Sequence, residues 1–238
     1  MTQRNMTVVL VHGAWADGSS WRHVIEPLRA AGLEVVAAPL PLTSLRDDVD
    51  ALERTLERLP GPVVLVGHAY AGAVIGEARS DKVRALVYVA ALAPDEGEVV
   101  ADVFYRGEPH ALAPKLAPDA HGLIWLPREA FASAFAPQAS PVEHAWLAAV
   151  QRPIAVPCIS TPVGRPRWKE VPAWYLLAQD DRMIRQETQA FMAGRMKAKV
   201  VSHAVDHTPS VTAPRVVVDV ILAAAGLVVD PATGDRHA

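Results

Sequence analysis

Four short stretches carry groups that could do chemistry, and each follows an apolar run. His12-Gly13-Ala14-Trp15 offers small residues whose backbone N–H groups could face a pocket, the kind of donors a developing oxyanion needs. Gly67-His68-Ala69-Tyr70-Ala71-Gly72 has the small residues a sharp strand-to-helix turn requires on either side of its tip. The usual fingerprint of such a turn is G-x-S-x-G, and here Ala69 stands at the serine position and Ala71 at the second glycine. A methyl group can neither attack a carbonyl nor be activated by a base. Gln179-Asp180-Asp181-Arg182 places two carboxylates after the run WYLLA, where either could orient a histidine. Asp206-His207-Thr208-Pro209 supplies such a histidine, with His203 as a competitor.

The elements that must hold these residues alternate regularly. Apolar runs at 6–11, 33–38, 63–67, 83–90, 173–178 and 199–202 read as strands buried on both faces. Between them lie helical stripes. One spans Trp21 to about Ala31 with Ser20 as its cap, and another follows Ser44 with Leu45, Val49, Leu52, Leu56 and Leu59 on one face. A small-residue helix is expected over 70–80, and a last one from about Ala213 to Ala224. The pattern predicts an α/β fold: a doubly wound, mostly parallel six-stranded sheet with helices on both faces. Residues 1–93 and 171–238 form its core. Residues 94–170, rich in proline and aromatics, interrupt the rhythm and are expected to be an inserted helical cap, since a structureless loop that long does not suit a compact domain. Within the insertion, Ser140-Pro141-Val142-Glu143 reads as a helix start with a capping box.

Composition removes other classes. With 23 basic and 26 acidic residues and a net charge of −3, there is no electrostatic case for nucleic acid. Cys158 is the only cysteine and the nine histidines are scattered, so no metal is expected. A strand-like MTVVLVHG run begins after five residues and no apolar run reaches ~18 residues, so neither a signal peptide nor a membrane span is expected and the expected location is the cytoplasm. The absence of a G-x-G-x-x-G turn sets a dinucleotide cofactor aside.

The stretches VVLVHGAWADGSSW (8–21), PVVLVGHAYAGAVI (62–75), ALVYVAALAPDEGE (85–98), PAWYLLAQDDRMI (172–184) and VDHTPSVTAP (205–214) together resemble the α/β-hydrolase superfamily over nearly the whole chain. The likeness is greatest to small bacterial esterase-like proteins related to plant methyl esterases and hydroxynitrile lyases. The resemblance implies that the family serine falls on Ala69 and its histidine on His207, which has Pro214 seven residues on where His203 has Ser210. It places the acid at Asp181, with Asp180 as the fallback, and the oxyanion-hole N–H groups at Ala14 and Tyr70. Trp15, His68, Trp125, Phe131, Phe135, Trp146 and Trp168 become candidates to line the pocket, with Ser19, Ser20 and His110 as weaker polar anchors. The implied activity is serine-type hydrolysis of a small apolar ester or lactone by a monomer or homodimer without a cofactor. The working form would carry serine at position 69, and Ala69 would be an inactivating replacement that traps ligand. Two alternatives stand beside it: a naturally nucleophile-less binding protein, and a non-covalent, His207-dependent lyase, cyclase or oxygenase.

Overall fold

The computed structural model describes residues 6–229 and 236–237. In chain order the elements are β1 (Thr7–Val11), α1 (Arg22–Ala30), β2 (Glu34–Ala38), α2 (Leu45–Glu57), β3 (Val63–His68), α3 (Ala71–Gly76), β4 (Val83–Val89), α4 (Val100–Phe104), β5 (Leu123–Ile124), α5 (Pro141–Val150), β6 (Ile154–Ala155), α6 (Val156–Ser160), β7 (Ala173–Ala178), α7 (Gln186–Arg195), β8 (Lys199–His203), α8 (Pro209–Thr212) and α9 (Pro214–Ala224). Six strands form one sheet in the order β2-β1-β3-β4-β7-β8, and every pairing in it is parallel. The six expected strands are these six, with ends moved by a residue or so.

A parallel sheet covered on both sides needs strands that are apolar on both faces. β1 and β3 are buried at every position. One face of the sheet packs Val8, Leu10, Val64 and Val66 against Trp21, Val24 and Leu28 near α1 and against Val217 and Ile221 of α9. The other packs Val9, Val11 and Leu65 against α2, α3 and the 94–170 segment. Both cores therefore meet at the strands whose carboxyl ends carry the chemistry-bearing stretches.

Local differences from expectation have local causes. Ser20 does not cap α1. Asp17 caps a preceding 3₁₀ turn, Gly18–Trp21, by accepting from the Ser19 N–H at 2.9 Å, and the Ser20 hydroxyl donates to the Asp17 carbonyl. Ser44 does cap α2, accepting from the Asp47 N–H. α3 stops at Gly76, short of residue 80, where the Arg79 N–H donates instead to the Glu53 carboxylate at 2.7 Å. The expected last helix is α9, opened by Pro214, and a separate short helix, α8, precedes it.

The 94–170 segment is more mixed than an all-helical insertion. It contains α4, α5, α6, a π-helical turn Phe131–Phe135, a 3₁₀ turn and a small antiparallel pair, β5 with β6. Its clearest sequence signal is realised in full: the Ser140 side chain accepts from the Glu143 N–H, and Glu143 takes the Ser140 N–H in return. Among the described residues, no helix is long and apolar enough to cross a membrane.

Candidate active site

Strain marks where the site is. Among the described residues five non-glycine residues have positive φ, and four of them, Trp15, Leu42, Ala69 and Ala90, follow the carboxyl ends of β1, β2, β3 and β4. A left-handed conformation costs an L-residue energy and persists only where its surroundings enforce it. Ala69, with φ 50°, is held by its N–H to Val89 O and by its carbonyl, which accepts from Gly72 and Leu92. The turn is tight enough that a Cβ on Gly67 would stand 2.8 Å from the Ala71 carbonyl oxygen, and one on Gly13 2.9 Å from the His68 carbonyl oxygen. Tyr70 occupies the N-cap of α3, where the first N–H groups of a helix lack intrahelical acceptors.

His207 and Asp181 meet behind this turn. His207 Nδ1–H donates to Asp181 Oδ2 at 2.8 Å, and both residues are buried. Asp181 is held in turn: Oδ1 accepts from the Met183 and Ile184 N–H groups at 2.7 and 2.8 Å, and Oδ2 from Gln189 Nε2 at 3.0 Å. Asp180 points elsewhere, accepting from Gln138 Nε2 at 3.1 Å. His203 ends β8 and is absent from the pocket wall. Of the paired candidates, the structure thus brings together Asp181 and His207.

Two further histidines support the site from below. His68 Nε2–H donates to the His207 carbonyl at 2.6 Å, and burial lowers its pKa to about 3, so it is neutral. His12 donates from Nδ1 to Gly13 O and accepts at Nε2 from the Leu40 N–H, and burial likewise lowers its pKa. His68 is therefore not a pocket residue but a brace between the elbow and the backbone of His207.

One pocket lies above Ala69, with about 590 Å³ of space between protein atoms, its mouth included. Ala14, Trp15, Ala69, Tyr70 and His207 share its wall with Met183 and Ile184, and half of the lining comes from the 94–170 segment, including Phe104, Ile124, Ile154 and Ile159. The wall is almost wholly apolar. Two of its polar groups are engaged in the protein: Trp15 Nε1 donates to Ile124 O, and the Tyr70 hydroxyl donates to Asp48.

Of the expected aromatic wall, only Trp15 lines this pocket. Phe135 is buried one layer back, edge-on to His207 with ring centroids 5.3 Å apart, and Phe131 packs edge-on against Phe135. Trp146 stacks under the Arg22 guanidinium, Trp168 is buried beside α3, and Trp125 is 48% exposed with its Nε1 on Asp119. Ser19, Ser20 and His110 also lie away from it. Sequence reasoning missed Phe104, Tyr105 and the aliphatic residues of the wall, and two buried carboxylates, Asp48 and Asp206. Asp48 left a signal, because it falls on the apolar stripe of α2 between Leu45 and Leu52, where a solvated side chain does not fit.

The comparisons with known proteins agree with the fold. A model of the Alpha/beta hydrolase family matches residues 8–220. An alpha/beta hydrolase from Aspergillus novofumigatus is 25% identical over 92% of this chain and 96% of its own. A carbendazim hydrolyzing esterase from Nocardioides is 32% identical, over 46% of this chain and 50% of its own. Among solved structures, a pyrethroid hydrolase superposes with a TM-score of 0.78 at 25% identity, covering 93% of this chain and 98% of that one. A methylesterase from Arabidopsis, 19% identical, shares the fold with a TM-score of 0.76 over 93% of this chain and 99% of its own. The chain belongs to the alpha/beta hydrolase family.

Proposed function

We propose that the pocket takes a small apolar ester or lactone and that position 69 decides whether the carbonyl is attacked. The observation that carries this reading is the His207–Asp181 pair, 2.8 Å apart, whose His207 lines the same apolar pocket as the strained residue at the elbow tip. Strain of this kind is useful for presenting a side-chain oxygen into a pocket. The 94–170 segment acts as the cap, and the relatives named as pyrethroid hydrolase, carbendazim-hydrolysing esterase and methylesterase support ester chemistry.

With serine at position 69, the hydroxyl oxygen attacks the ester carbonyl while His207 Nε2 takes its proton. Asp181 holds the Nδ1–H tautomer and stabilises the imidazolium. The backbone N–H groups of Ala14 and Tyr70 receive the oxyanion. His207 then gives the proton to the departing alkoxide, leaving an acyl-enzyme, and next takes a proton from the water that releases the acid. With Ala69 the first bond cannot form, so this chain binds its ester and turns it over very slowly. The test is Ala69→Ser assayed with 4-nitrophenyl butyrate. A gain of at least about 10³-fold in hydrolysis is expected, and no gain overturns the reading.

A second reading rests on His207 itself. Its Nδ1 is fixed by Asp181, which leaves Nε2 facing the pocket with no nucleophile beside it. Such a dyad can serve as a general base without a covalent intermediate. Turnover of a ligand by the unaltered chain that disappears in His207→Ala would select this reading, and a pocket that binds without turnover in either form would select a receptor.

A further inference from the structure

A carboxylate lies buried behind the pocket wall, and among the described residues no cation is paired to it. Asp48, on α2, is 0% exposed, and its two oxygens tie together three separated pieces of chain. Oδ1 accepts from the Leu42 N–H at 2.7 Å. Oδ2 accepts from the Tyr70 hydroxyl at 2.7 Å and faces the Cys158 thiol at 3.7 Å. Leu42 is one of the strained residues, with φ 60°, and its carbonyl accepts from the Ala155 N–H at 3.0 Å. Burying a charge without a cation is costly unless every partner is in place, so this position calls for a role that an apolar residue could not fill.

The partners say what that role is. Tyr70 follows the elbow tip and lines the pocket, and Ile154 and Ile159, which flank Ala155 and Cys158, form the wall supplied by the 94–170 segment. Tyr70 has only two side-chain torsions. With its hydroxyl anchored on Asp48 and its Cα at the start of α3, the plane of the 69–70 peptide is left little freedom. We propose that Asp48 is a positioning residue: through Tyr70 it sets the backbone N–H beside position 69, and through Leu42 and Cys158 it sets the opposite wall at 154–159. The oxyanion half of this inference rests on the ester reading above; the wall half does not.

The test uses the chain as it stands, with Ala69, and reads amide hydrogen exchange together with the affinity for 4-nitrophenyl butyrate, followed by Trp15 fluorescence. Asp48→Ala is expected to speed exchange at the Ala155 amide at least tenfold, to leave the β8 amides unchanged, and to weaken the ester at least fivefold. Asp48→Asn, which keeps an acceptor for Leu42, should recover affinity to within threefold. Tyr70→Phe should reproduce the loss of affinity and add nothing to Asp48→Ala. Exchange and affinity within twofold of the parent, or exchange accelerated equally in β8, overturns the proposal. If Asp48→Ala does not fold, Tyr70→Phe decides by the same affinity limits. In the Ala69→Ser background, Tyr70→Phe should lower kcat about tenfold with KM within threefold. An Ala69→Ser form that hydrolyses nothing refutes the ester reading and leaves the exchange and affinity results to judge the wall.

Discussion

At the residue scale, the site is built from groups whose charge states are set by burial. His68 is held down to about 3 and His12 is also lowered, in both cases chiefly because their rings are cut off from water. In the unfolded chain each takes up a proton near pH 6.5. The unfolded state therefore binds more protons than the fold below that pH. The stability the two rings contribute is complete above pH 6.5 and is lost as the pH falls toward their folded values. Each can contribute a slope of up to about 1.4 kcal/mol per pH unit. Asp48 and Asp206, raised by burial, act in the opposite sense at more acid pH. Urea midpoints are expected to fall between pH 7 and pH 5.5, and His68→Gln, which keeps a donor of similar reach, should flatten that slope. An unchanged slope would mean that His68 is not the group responsible. The hydrogen-bonded pair His207–Asp181 was legible in the sequence: the apolar runs that form β8 and β7 pointed to the two loops, and the family resemblance chose His207 over His203 and Asp181 over Asp180. The neutral brace was not, because His68 stands next to the elbow tip and its sequence position does not say whether it faces the pocket or the back of the His207 loop.

At the element scale, the 94–170 segment is fastened to both loops that carry the dyad. The Arg182 guanidinium donates to Ser133 O, the Thr208 hydroxyl to Phe135 O, and the Gln138 N–H to Asp206 Oδ2 at 2.9 Å. Asp206 also accepts from the Thr208 N–H and the Thr212 hydroxyl at 3.0 and 2.7 Å. Asp206→Ala would leave these buried donors unpaired, and a loss of about 3 kcal/mol in unfolding free energy is expected. Asp206→Asn should lose less, because its amide oxygen still accepts one or two of the donors. Chemical denaturation checks both values, and a loss below about 1 kcal/mol for alanine would show that the latch is dispensable. The sheet and the capped helices α2 and α5 could be read from period and capping residues, because those signals are local. The π-helical turn 131–135 could not, since contacts from distant loops decide it.

At the scale of the whole molecule, two layers meet over one pocket: a sheet whose strand ends carry the dyad, and a segment that lines it with apolar side chains, Phe104 and Tyr105 beside Ile124, Ile154 and Ile159. Of the aromatic residues expected there from the same segment, Phe131 and Phe135 are spent in the layer behind the wall and Trp146 and Trp125 lie outside. The sequence could not separate these layers, because burial at a pocket surface and burial beneath it select the same residue types. Among the described residues that line the pocket there is no lysine or arginine, which has a consequence for selectivity. A monosuccinate ester, with a carboxylate on its acyl chain, is expected to bind at least about 100-fold more weakly than the matching butyrate, since an unpaired charge would have to leave water. Equal affinities by calorimetry would place the acyl group outside the pocket.

The central claim is that position 69 stands where a nucleophile would be served by His207, Asp181 and the N–H groups of Ala14 and Tyr70. It is tested most directly by incubating Ala69→Ser with 4-nitrophenyl butyrate, quenching in acid and measuring the intact mass and its peptides. A transient gain of one butyryl group on the peptide containing position 69, absent when His207→Ala is combined with it, is the predicted result. Hydrolysis without acylation there, or acylation that survives the loss of His207, would contradict the account.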